Sequence, residues 1–370
     1  MDKKLKIAII GSRGYPYVYS GYETLVKELS ERLVKRGYHL RVYCHSSLFK
    51  KKPKKVNGIE LIYTPSIETK FLSQIVNSFF SFIHVCFSKI DVILVVNSAN
   101  GPFGLFTKIF AKKTCINVDG LEWLRPKWKG FGSFYFKISS KFATLFFDEI
   151  ITDSSEMYII YKEIFDIESN VIAYGSTMVR TKSKNFLKKN NLKQNDYYLI
   201  VGRLIPDNNS NLIIKGFLKS SSSKKIVIVG DVTYKDYYAS QVKKMAAKNV
   251  IFTGYINCQE KLTQLYQNCF CYIHGHEFGG TNPTMVNALH LNAEIIALKT
   301  KFNIEMLENK KSIFFEKTID SVANTINFFE KNHFEQREFN SNYILNEKYN
   351  WEIITEKYLD LFNKIYQFPK

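Results

Sequence analysis

The sequence predicts an α/β protein with two doubly wound, parallel-sheet domains. Two observations predict this fold class. Apolar runs of roughly four to six residues alternate with amphipathic helical patterns of about ten or more, and the alternation stops once, within residues 181–196, before it resumes. A chain of 370 residues also has the length of two domains, at about 100–200 residues each.

Composition and charge limit the classes of protein that this sequence encodes. Hydrophobic residues make up 45% and charged residues 23% of the chain, which excludes a disordered or fibrous protein. There are 52 lysines and arginines against 34 aspartates and glutamates, a formal net charge of +18. This excess favours anionic partners: phosphorylated substrates, an anionic membrane surface or nucleic acid. The six cysteines form no CxxC pair and the seven histidines are scattered, so we predict no metal site.

The first half of the chain alternates strands and helices as βαβ units do. The helix predicted over 23–36 is amphipathic and ends at Gly37, and Ser154 is a favourable N-cap for the last helix of this half. The predicted strands are 6–10, 40–44, 59–63, 92–96, 114–118 and 149–152, and the predicted helices are 23–36, 71–87, 103–111, 133–147 and 154–165. We therefore predict a Rossmann-like domain over residues 1–180.

Residues 181–196 are polar and basic, and we interpret them as a linker. Alternation then predicts a second Rossmann-like domain over 197–350, followed by an amphipathic helix within 351–370. Its predicted strands are 197–201, 226–229, 250–253, 270–274, 294–298 and 313–315, and its predicted helices are 210–219, 234–247, 259–267 and 283–291. Such sheets bind ligands beyond the carboxyl ends of their strands, so two of them facing each other would create a cleft.

Neither a secretory signal nor a membrane span is predicted. The apolar stretch Ile7–Ile10 is too short for a signal peptide. Residues 71–87 form the most apolar long window, but Ser73, Gln74 and Asn77 interrupt it, which favours a buried or interfacial helix. We therefore expect a cytoplasmic protein.

Two loops of the first half are candidate ligand loops. The loop after the first strand contains Gly11, Gly14 and Gly21, and glycines allow a ligand to approach the backbone closely, although a structural turn explains them equally well. The spacing is not GxGxxG, so a dinucleotide fingerprint is absent. Asp119 directly follows a predicted strand, where a carboxylate can orient a hydroxyl or accept its proton. The alternative is an Asx-turn residue before Gly120.

Basic and aromatic residues alternate after this loop, beginning with Arg125, Lys127, Trp128 and Lys129. This composition is typical of a surface that binds anionic lipid, or of base stacking in nucleic-acid binding. An ordinary amphipathic helix, with lysine stems lying along apolar surface, is the alternative.

Two loops of the second half favour binding of a diphosphate. Arg203 follows a strand and precedes a polar turn and a helix start, where a guanidinium and free amides can meet phosphate oxygens. In the later loop, Gly279 and Gly280 expose backbone amides that suit anionic oxygens. Asn282 is the predicted N-cap of the helix that follows, with Pro283 in its first turn.

These motifs together resemble the retaining, family-4-type glycosyltransferases of bacterial polysaccharide assembly, which have the two-domain GT-B fold. The resemblance spans nearly the whole chain and rests on KIAIIGSRGYPYVYSGYETLVKELSERL, NVDGLEW, VGRLIPDNN and HGHEFGGTNPTMVNAL. Within that family the chain is most similar to capsular and cell-wall rhamnosyltransferases. The helix that begins at Trp351 is similar to the C-terminal helix that packs back on the first domain in this fold.

The resemblance implies a nucleotide-sugar donor, a dTDP- or UDP-sugar, bound mainly by the second domain, with no cofactor and no metal. It assigns Arg203 to the donor diphosphate and Asp119 to the surroundings of the donor sugar and acceptor. The other donor-binding residues that it implies are Gly11, Gly14, Gly21, Gly279, Gly280, Thr281 and Asn282.

Two positions depart from the family pattern. Asn208 stands where the wider family usually has a lysine, so we predict that it lies at the donor site but that one positive charge at the diphosphate is missing. Asn287 stands where a glutamate is expected to contact the nucleotide ribose, and an amide can still bond a hydroxyl there. Glu277 is the nearest acid, and we predict that it substitutes for the missing carboxylate.

The resemblance also implies front-face retention, in which the leaving nucleoside diphosphate accepts the proton of the acceptor hydroxyl. It implies a lipid-diphosphate glycan acceptor and a peripheral location at the inner face of the cell membrane, where the segment around Arg125 would contact anionic lipid. A nucleotide-sugar 2-epimerase-like isomerase, and a catalytically impaired transferase acting as a scaffold, remain alternatives. No nucleic-acid motif is present, so we predict no nucleic-acid partner.

Overall fold

A computed structural model describes residues 4–16, 21–67, 69, 72–125, 130–232, 236–307, 313–332 and 348–367. The chain forms two compact units, one of Met1–Tyr174 with Asn350–Lys370 and one of Gly175–Tyr349. The linker predicted over 181–196 therefore lies inside the second unit. Residues 181–196 are mostly polar and basic, which is why the sequence did not indicate a folded segment, but Leu187 and Leu192 are both buried in the second unit.

The first unit is built on a parallel sheet with one antiparallel edge. In the described residues its strands are β1 (Lys6–Ile10), β2 (His39–His45), β3 (Lys55–Val56), β4 (Ile59–Thr64), β5 (Val92–Val96), β6 (Thr114–Asn117), β7 (Glu149–Thr152) and β8 (Asn170–Val171). They lie in the order β3-β4-β2-β1-β5-β6-β7-β8, and β3 runs antiparallel to β4. Every residue of β5 is buried, as expected for a strand covered on both faces.

Helices cover this sheet. They are α1 (Gly21–Lys35), α2 (Leu72–Cys86), α3 (Gly104–Ile109), α4 (Phe131–Phe146), α5 (Ser155–Phe165) and the final helix, which is labelled α13 below (Trp351–Gln367). Trp351, Tyr358 and Phe362 of α13 join the core formed by β1 and α1. Glu352 also accepts hydrogen bonds from Arg32 and Arg36, at 2.9 and 2.8 Å.

The second unit has its own parallel sheet. Its strands are β9 (Tyr197–Val201), β10 (Lys225–Val229), β11 (Val250–Gly254), β12 (Cys271–His274), β13 (Ile295–Leu298) and β14 (Ile313–Phe315), in the order β11-β10-β9-β12-β13-β14. Its helices are α6 (Asn185–Lys189), α7 (Ser210–Lys219), α8 (Tyr237–Lys243), α9 (Gln259–Asn268), α10 (Pro283–His290), α11 (Lys301–Leu307) and α12 (Ile319–Asn332). The prediction of two parallel-sheet α/β domains is confirmed.

Each sheet reverses its winding at one place. In the first, the chain moves outward from β1 through β2 to β4 and then returns to β5 on the other side of β1. In the second, it moves from β9 to β11 and returns to β12 beside β9. The carboxyl ends of β1 and β5, and those of β9 and β12, are thus the positions where a doubly wound sheet binds ligands.

Candidate active site

The loops after β9 and β12 meet at the winding reversal of the second sheet. Asn209 Nδ2 donates to the carbonyl oxygen of Gly275 at 2.9 Å, and the amide of Glu277 donates to the carbonyl of Asp207 at 3.1 Å. A Cβ atom on Gly275 would lie 2.5 Å from the carbonyl oxygen of Asn208, so only glycine fits this approach of two backbones. The two loops that the sequence predicts to bind a diphosphate, after β9 and after β12, therefore lie against each other.

Asn208 connects these loops through both ends of its side-chain amide. Its Nδ2 donates to the carbonyl oxygen of Arg203 at 2.8 Å, and its Oδ1 lies 2.8 Å from Nδ1 of His276. Because Oδ1 can only accept, Nδ1 of His276 is the donor and holds a proton. Both ends of the Asn208 amide therefore bond to the protein itself. The predicted contact of Asn208 with the donor stays a prediction.

Arg203 has a fixed backbone and an available side chain. Its carbonyl oxygen accepts from the amide of Ile205 at 2.9 Å as well as from Asn208. Within the described part of the chain, its half-buried guanidinium has no hydrogen bond and no ion pair. A planar cation held this way at the end of a strand can pair with phosphate oxygens.

Glu277 forms an ion pair that the sequence did not reveal. Its Oε2 lies 2.6 Å from Nζ of Lys317, which follows β14. Glu277 Oε2 also lies 3.5 Å from Nδ2 of Asn209, so this carboxylate is held between Lys317 and the loop after β9. Lys317 is 40 residues away in sequence, which is why no motif joined them.

The start of α10 has the capping that the sequence predicts. Asn282 is the N-cap, and its Oδ1 accepts from the amide of Thr284 at 3.0 Å, with Pro283 in the first turn. Gly279 has φ +108°, a conformation that L side chains rarely adopt, and Thr281 is buried. The amides at the helix start are themselves engaged, since those of Thr284, Met285 and Val286 all donate to Asn282. Within the described residues, the amides of Gly279 and Gly280 have no hydrogen-bond partner, so they can bind anionic oxygens.

Asn287 lies on α10 and contacts the beginning of the second unit. Its Oδ1 accepts a hydrogen bond of 2.7 Å from Ser176 Oγ. This bond occupies the amide oxygen and leaves the amide NH2 as the group that can bond a ligand hydroxyl. The predicted contact with a nucleotide ribose is compatible with this arrangement and stays a prediction.

The described residues contain no group of three or more His, Cys, Asp or Glu that could hold a metal ion. His274, at the end of β12, is fully buried and bonds the hydroxyl of Tyr272 at 2.9 Å. Burial lowers the pKa of His274 to about 3, so its ring is neutral. The prediction that the reaction needs no metal stays a prediction.

In the first unit, packing explains two of the predicted glycines. Gly11 and Gly14 have φ of +101° and +122°. A Cβ on Gly11 would lie 2.2 Å from the carbonyl oxygen of Val96, and one on Gly14 would lie 2.7 Å from Sγ of Cys44. Gly21 is the first residue of α1. The loop thus needs Gly11 and Gly14 for its own folding, whether or not a ligand also contacts it.

Asp119 lies in a polar cluster beyond β6. Its Oδ2 accepts from the hydroxyl of Tyr174 at 2.9 Å, and its carbonyl oxygen accepts from the hydroxyl of Tyr22 at 2.9 Å. Burial raises the pKa of the Asp119 carboxyl, while the charge of Arg125 and hydrogen bonds to Tyr174 and Asp153 oppose the rise. Sequence reasoning missed Asp153, although its place directly after β7 is the same signal that identified Asp119.

The structure corrects the role predicted for Arg125. This side chain is buried, with 9% of the residue exposed, and its Nε lies 3.0 Å from Oε1 of Glu122. A guanidinium paired inside the protein is not presented to a lipid surface, so Arg125 belongs to the Asp119 cluster. The neighbouring predicted membrane residues Lys127, Trp128 and Lys129 lie outside the described residues.

Each half of the chain matches a known family model. Residues 4–177 match a domain of unknown function (DUF1972), and residues 182–345 match glycosyl transferases group 1. Residues 182–345 are therefore similar to group 1 glycosyl transferases. The poly(ribitol-phosphate) alpha-N-acetylglucosaminyltransferase of Staphylococcus aureus (strain COL) is 23% identical over 223 residues. That match covers 58% of this chain and 43%, less than half, of the relative.

Solved structures share the fold of this chain along nearly its whole length. Sucrose-phosphate synthase from Thermosynechococcus elongatus has a TM-score of 0.82 at 12% identity, covering 98% of this chain and 99% of that one. Anabaena Alr3699/HepE in complex with UDP-glucose has a TM-score of 0.77 at 14% identity, covering 97% and 100%. The predicted GT-B class of fold is confirmed, and at these identities the likeness extends to fold alone.

Proposed function

We propose that this chain is a glycosyltransferase whose second unit binds a nucleoside-diphosphate sugar. The observation that supports this most directly is the hydrogen bonding between the loops after β9 and β12. It holds together the guanidinium of Arg203, which has no partner within the described residues, and the loop that contains the amides of Gly279 and Gly280. A cation and free amides on a rigid support bind a diphosphate without further ordering. The group 1 domain over residues 182–345 supports the same assignment.

The proposed reaction is front-face transfer with retention. The bond between the anomeric carbon of the donor and its diphosphate oxygen breaks, and the bonding electrons leave with the diphosphate. The acceptor oxygen forms the new bond to that carbon, and its proton passes to the departing diphosphate oxygen. Arg203 and the amides of Gly279 and Gly280 stabilise the charge that develops on the leaving group, so no metal is required in this scheme.

The donor and acceptor are proposed from two sources. The sequence resemblance suggests a dTDP-sugar such as one carrying rhamnose. The curated relative is named as an N-acetylglucosaminyltransferase acting on poly(ribitol-phosphate), which suggests a UDP-sugar and a cell-wall polymer. Both sources agree on a nucleoside diphosphate and a bacterial surface glycan, and we propose a lipid-diphosphate-linked glycan as the acceptor.

A surface of the first unit supports a peripheral location at an anionic membrane. Helices α2, α3 and α4 contain no aspartate or glutamate, and their charged residues are Lys108, Lys137 and Lys141, besides His84. In the described part of the chain, no helix has the length and apolarity to cross a bilayer.

These helices, and the residues directly after α2 and α3, also expose many large apolar side chains. We call this set the apolar face: it comprises Phe79, Phe80, Phe87, Leu105, Ile109, Phe110 and Leu145. Phe79 contacts Phe106 with ring centroids 5.9 Å apart, and Phe87 contacts Phe110 at 5.0 Å, so α2 and α3 form one surface. Exposed aromatic residues flanked by lysines suit the interface of an anionic bilayer. We propose that this face, rather than Arg125, contacts lipid.

The function is tested with purified protein and a panel of UDP-, dTDP- and GDP-sugars. We expect one or more donors to raise the melting temperature by mass action, and we expect release of free nucleoside diphosphate only when a lipid-linked glycan is added. Conversion of the donor sugar without any acceptor would instead identify the isomerase. Donor binding without turnover on any lipid extract would identify a non-catalytic scaffold.

A further inference from the structure

A basic pocket lies at the amino ends of the strands of the first sheet, at the edge opposite to the carboxyl ends of β1 and β5. Its volume is about 370 Å³, within the roughly 300–1,000 Å³ of small-molecule sites. The polar side chains that line it are Lys6, His39, Arg41, Lys55, Glu60 and Lys89. Asp91, whose Oδ2 accepts from the backbone amide of Lys6 at 2.7 Å, lies outside this lining.

Strand pairing places these side chains on one face of the sheet. Lys6 of β1 lies opposite His39 of β2. Two residues further along β2, Arg41 lies opposite Glu60 of β4, which is also paired with Lys55 of β3. Paired residues of neighbouring strands share a face, and every second residue of a strand returns to it, so all five side chains lie on the same side.

Helix α2 covers this face but ends before it reaches the pocket. Tyr43, two residues beyond Arg41 on the same face, lies under α2, and its hydroxyl is hydrogen-bonded to Nδ1 of His84 at 2.8 Å. The helix ends at Cys86, so it does not cover the residues nearest the amino edge of the sheet. Lys6 is accordingly exposed, and a ligand can enter the pocket from solvent.

Positive charge dominates the pocket. Glu60 is the only acid among the described residues that line it, and Arg41 offsets its charge through contacts of 3.0 and 3.2 Å. In the same described part of the chain, the amino groups of Lys6, Lys55 and Lys89 have no hydrogen bond and no ion pair. Three such cations in one concave site favour a ligand with compact negative charge, such as a phosphate group.

The pocket adjoins the apolar face. Phe87 of that face is 75% exposed and lies two residues before Lys89, in the segment that follows α2. Lys112, which follows α3, donates to the carbonyl oxygen of Ser88 at 2.8 Å and so holds this segment against the end of α3. In a bilayer the phosphates lie directly outside the acyl chains, so exposed aromatic residues beside lysines match that boundary. This continuity favours a lipid headgroup over a free anion.

We propose that this pocket binds the phosphate headgroup of an anionic lipid while the apolar face beside it contacts the acyl chains. The proposal rests on the peripheral location proposed above and names the lipid group that is recognised there. The amino groups of Lys6, Lys55 and Lys89 bind the phosphate oxygens. Arg203, in the other unit, remains assigned to the donor diphosphate, so the two anion sites use different residues.

Flotation with vesicles of phosphatidylcholine and phosphatidylglycerol tests the pocket. The variant Lys6→Gln/Lys55→Gln/Lys89→Gln should bind these vesicles about tenfold or more weakly than the wild type, because lysines close to anionic lipid supply much of the attraction. The three amino groups have no partner within the described residues, so we expect the variant to fold and to keep the wild-type melting temperature. Unchanged flotation would overturn the proposal.

The matched control is Lys188→Gln/Lys189→Gln/Lys193→Gln, which removes the same charge from exposed positions of the second unit. This control should keep most of the vesicle binding, because its lysines lie outside the pocket. Equal losses in the two triple variants would show that net charge alone attracts the vesicles, and would also overturn the pocket.

A lipid too short to form a bilayer separates the pocket from the proposed location. Calorimetry with monomeric dihexanoylphosphatidylglycerol should show binding by the wild type that is lost when the three pocket lysines are changed. If inorganic phosphate binds these lysines as tightly as the lipid does, the pocket serves a free anion and the proposal fails. If the lipid binds through the lysines but the wild type does not float with vesicles, the pocket stands and the proposed peripheral location fails. Flotation without any lysine-dependent binding of the short lipid would overturn the pocket and leave the location intact.

Discussion

Asn208 and His276 are joined by a hydrogen bond of 2.8 Å between Oδ1 and Nδ1, which connects the loop after β9 to the loop after β12. The resemblance led us to expect a lysine at position 208. Asn208 instead joins the two loops. Within the described residues, the guanidinium of Arg203 has no hydrogen-bond or ion-pair partner, so it is available to a ligand. The roles of these two positions are separable by experiment.

Replacing Arg203 by alanine should weaken binding of UDP or dTDP by roughly 2–4 kcal/mol, the loss expected when a charge that pairs a desolvated diphosphate is removed. Stability should change little, because its guanidinium has no partner in the described part of the chain. Isothermal titration calorimetry measures the affinity. Arg180→Ala, at an exposed arginine of the same unit, is the matched control, and equal affinity of both variants would remove Arg203 from the site.

Replacing Asn208 by alanine should instead reduce stability. It removes the hydrogen bonds to the Arg203 carbonyl and to His276, each of which contributes about 0.5–1.5 kcal/mol to the free energy of unfolding. Urea denaturation measures the loss, with Asn185→Ala at an exposed asparagine of the same unit as the control. Unchanged stability of Asn208→Ala would show that the two loops are held together without this residue.

The sequence predicted the two sheets well because buried parallel strands are recognisable as short apolar runs. The Asn282 cap of α10 was equally predictable, since capping depends on neighbouring residues. Contacts between distant segments were not predictable in this way. Arg125 was assigned to a lipid surface because composition does not reveal that its partner Glu122 lies against it inside the fold. Lys317 was missed because no local spacing relates it to Glu277.

The buried ring of His274 should make stability depend on acidity. Burial lowers its pKa to about 3 in the folded protein, whereas the unfolded chain takes up the proton below about pH 6.5. Between about pH 3 and pH 6.5, unfolding of the protein therefore takes up a proton at this residue. The free energy of unfolding falls as the pH decreases through this range, by up to about 1.4 kcal/mol per pH unit.

His274→Asn is the variant that isolates this contribution, because an asparagine can still bond the hydroxyl of Tyr272 but does not titrate. Thermal unfolding from pH 7 to pH 4 should show a wild type that loses stability faster than the variant. His39→Asn, at an exposed histidine, should keep the wild-type slope. If His274→Asn also keeps it, another group controls the acid sensitivity.

The apolar face should determine binding to membranes. Phe87 and Ile109 are 75% and 69% exposed, so changing both to glutamine removes apolar surface without disturbing the core or the net charge. Burial of apolar area and attraction of lysines, each contributing about 1 kcal/mol near an anionic surface, are the expected sources of affinity. Flotation with vesicles containing anionic lipid should fall in the double variant, while affinity for the nucleotide stays the same.

Tyr237→Gln, at an aromatic residue of the second unit that is 81% exposed, is the matched control. Equal flotation of the double variant and this control would exclude the apolar face as the lipid-binding surface.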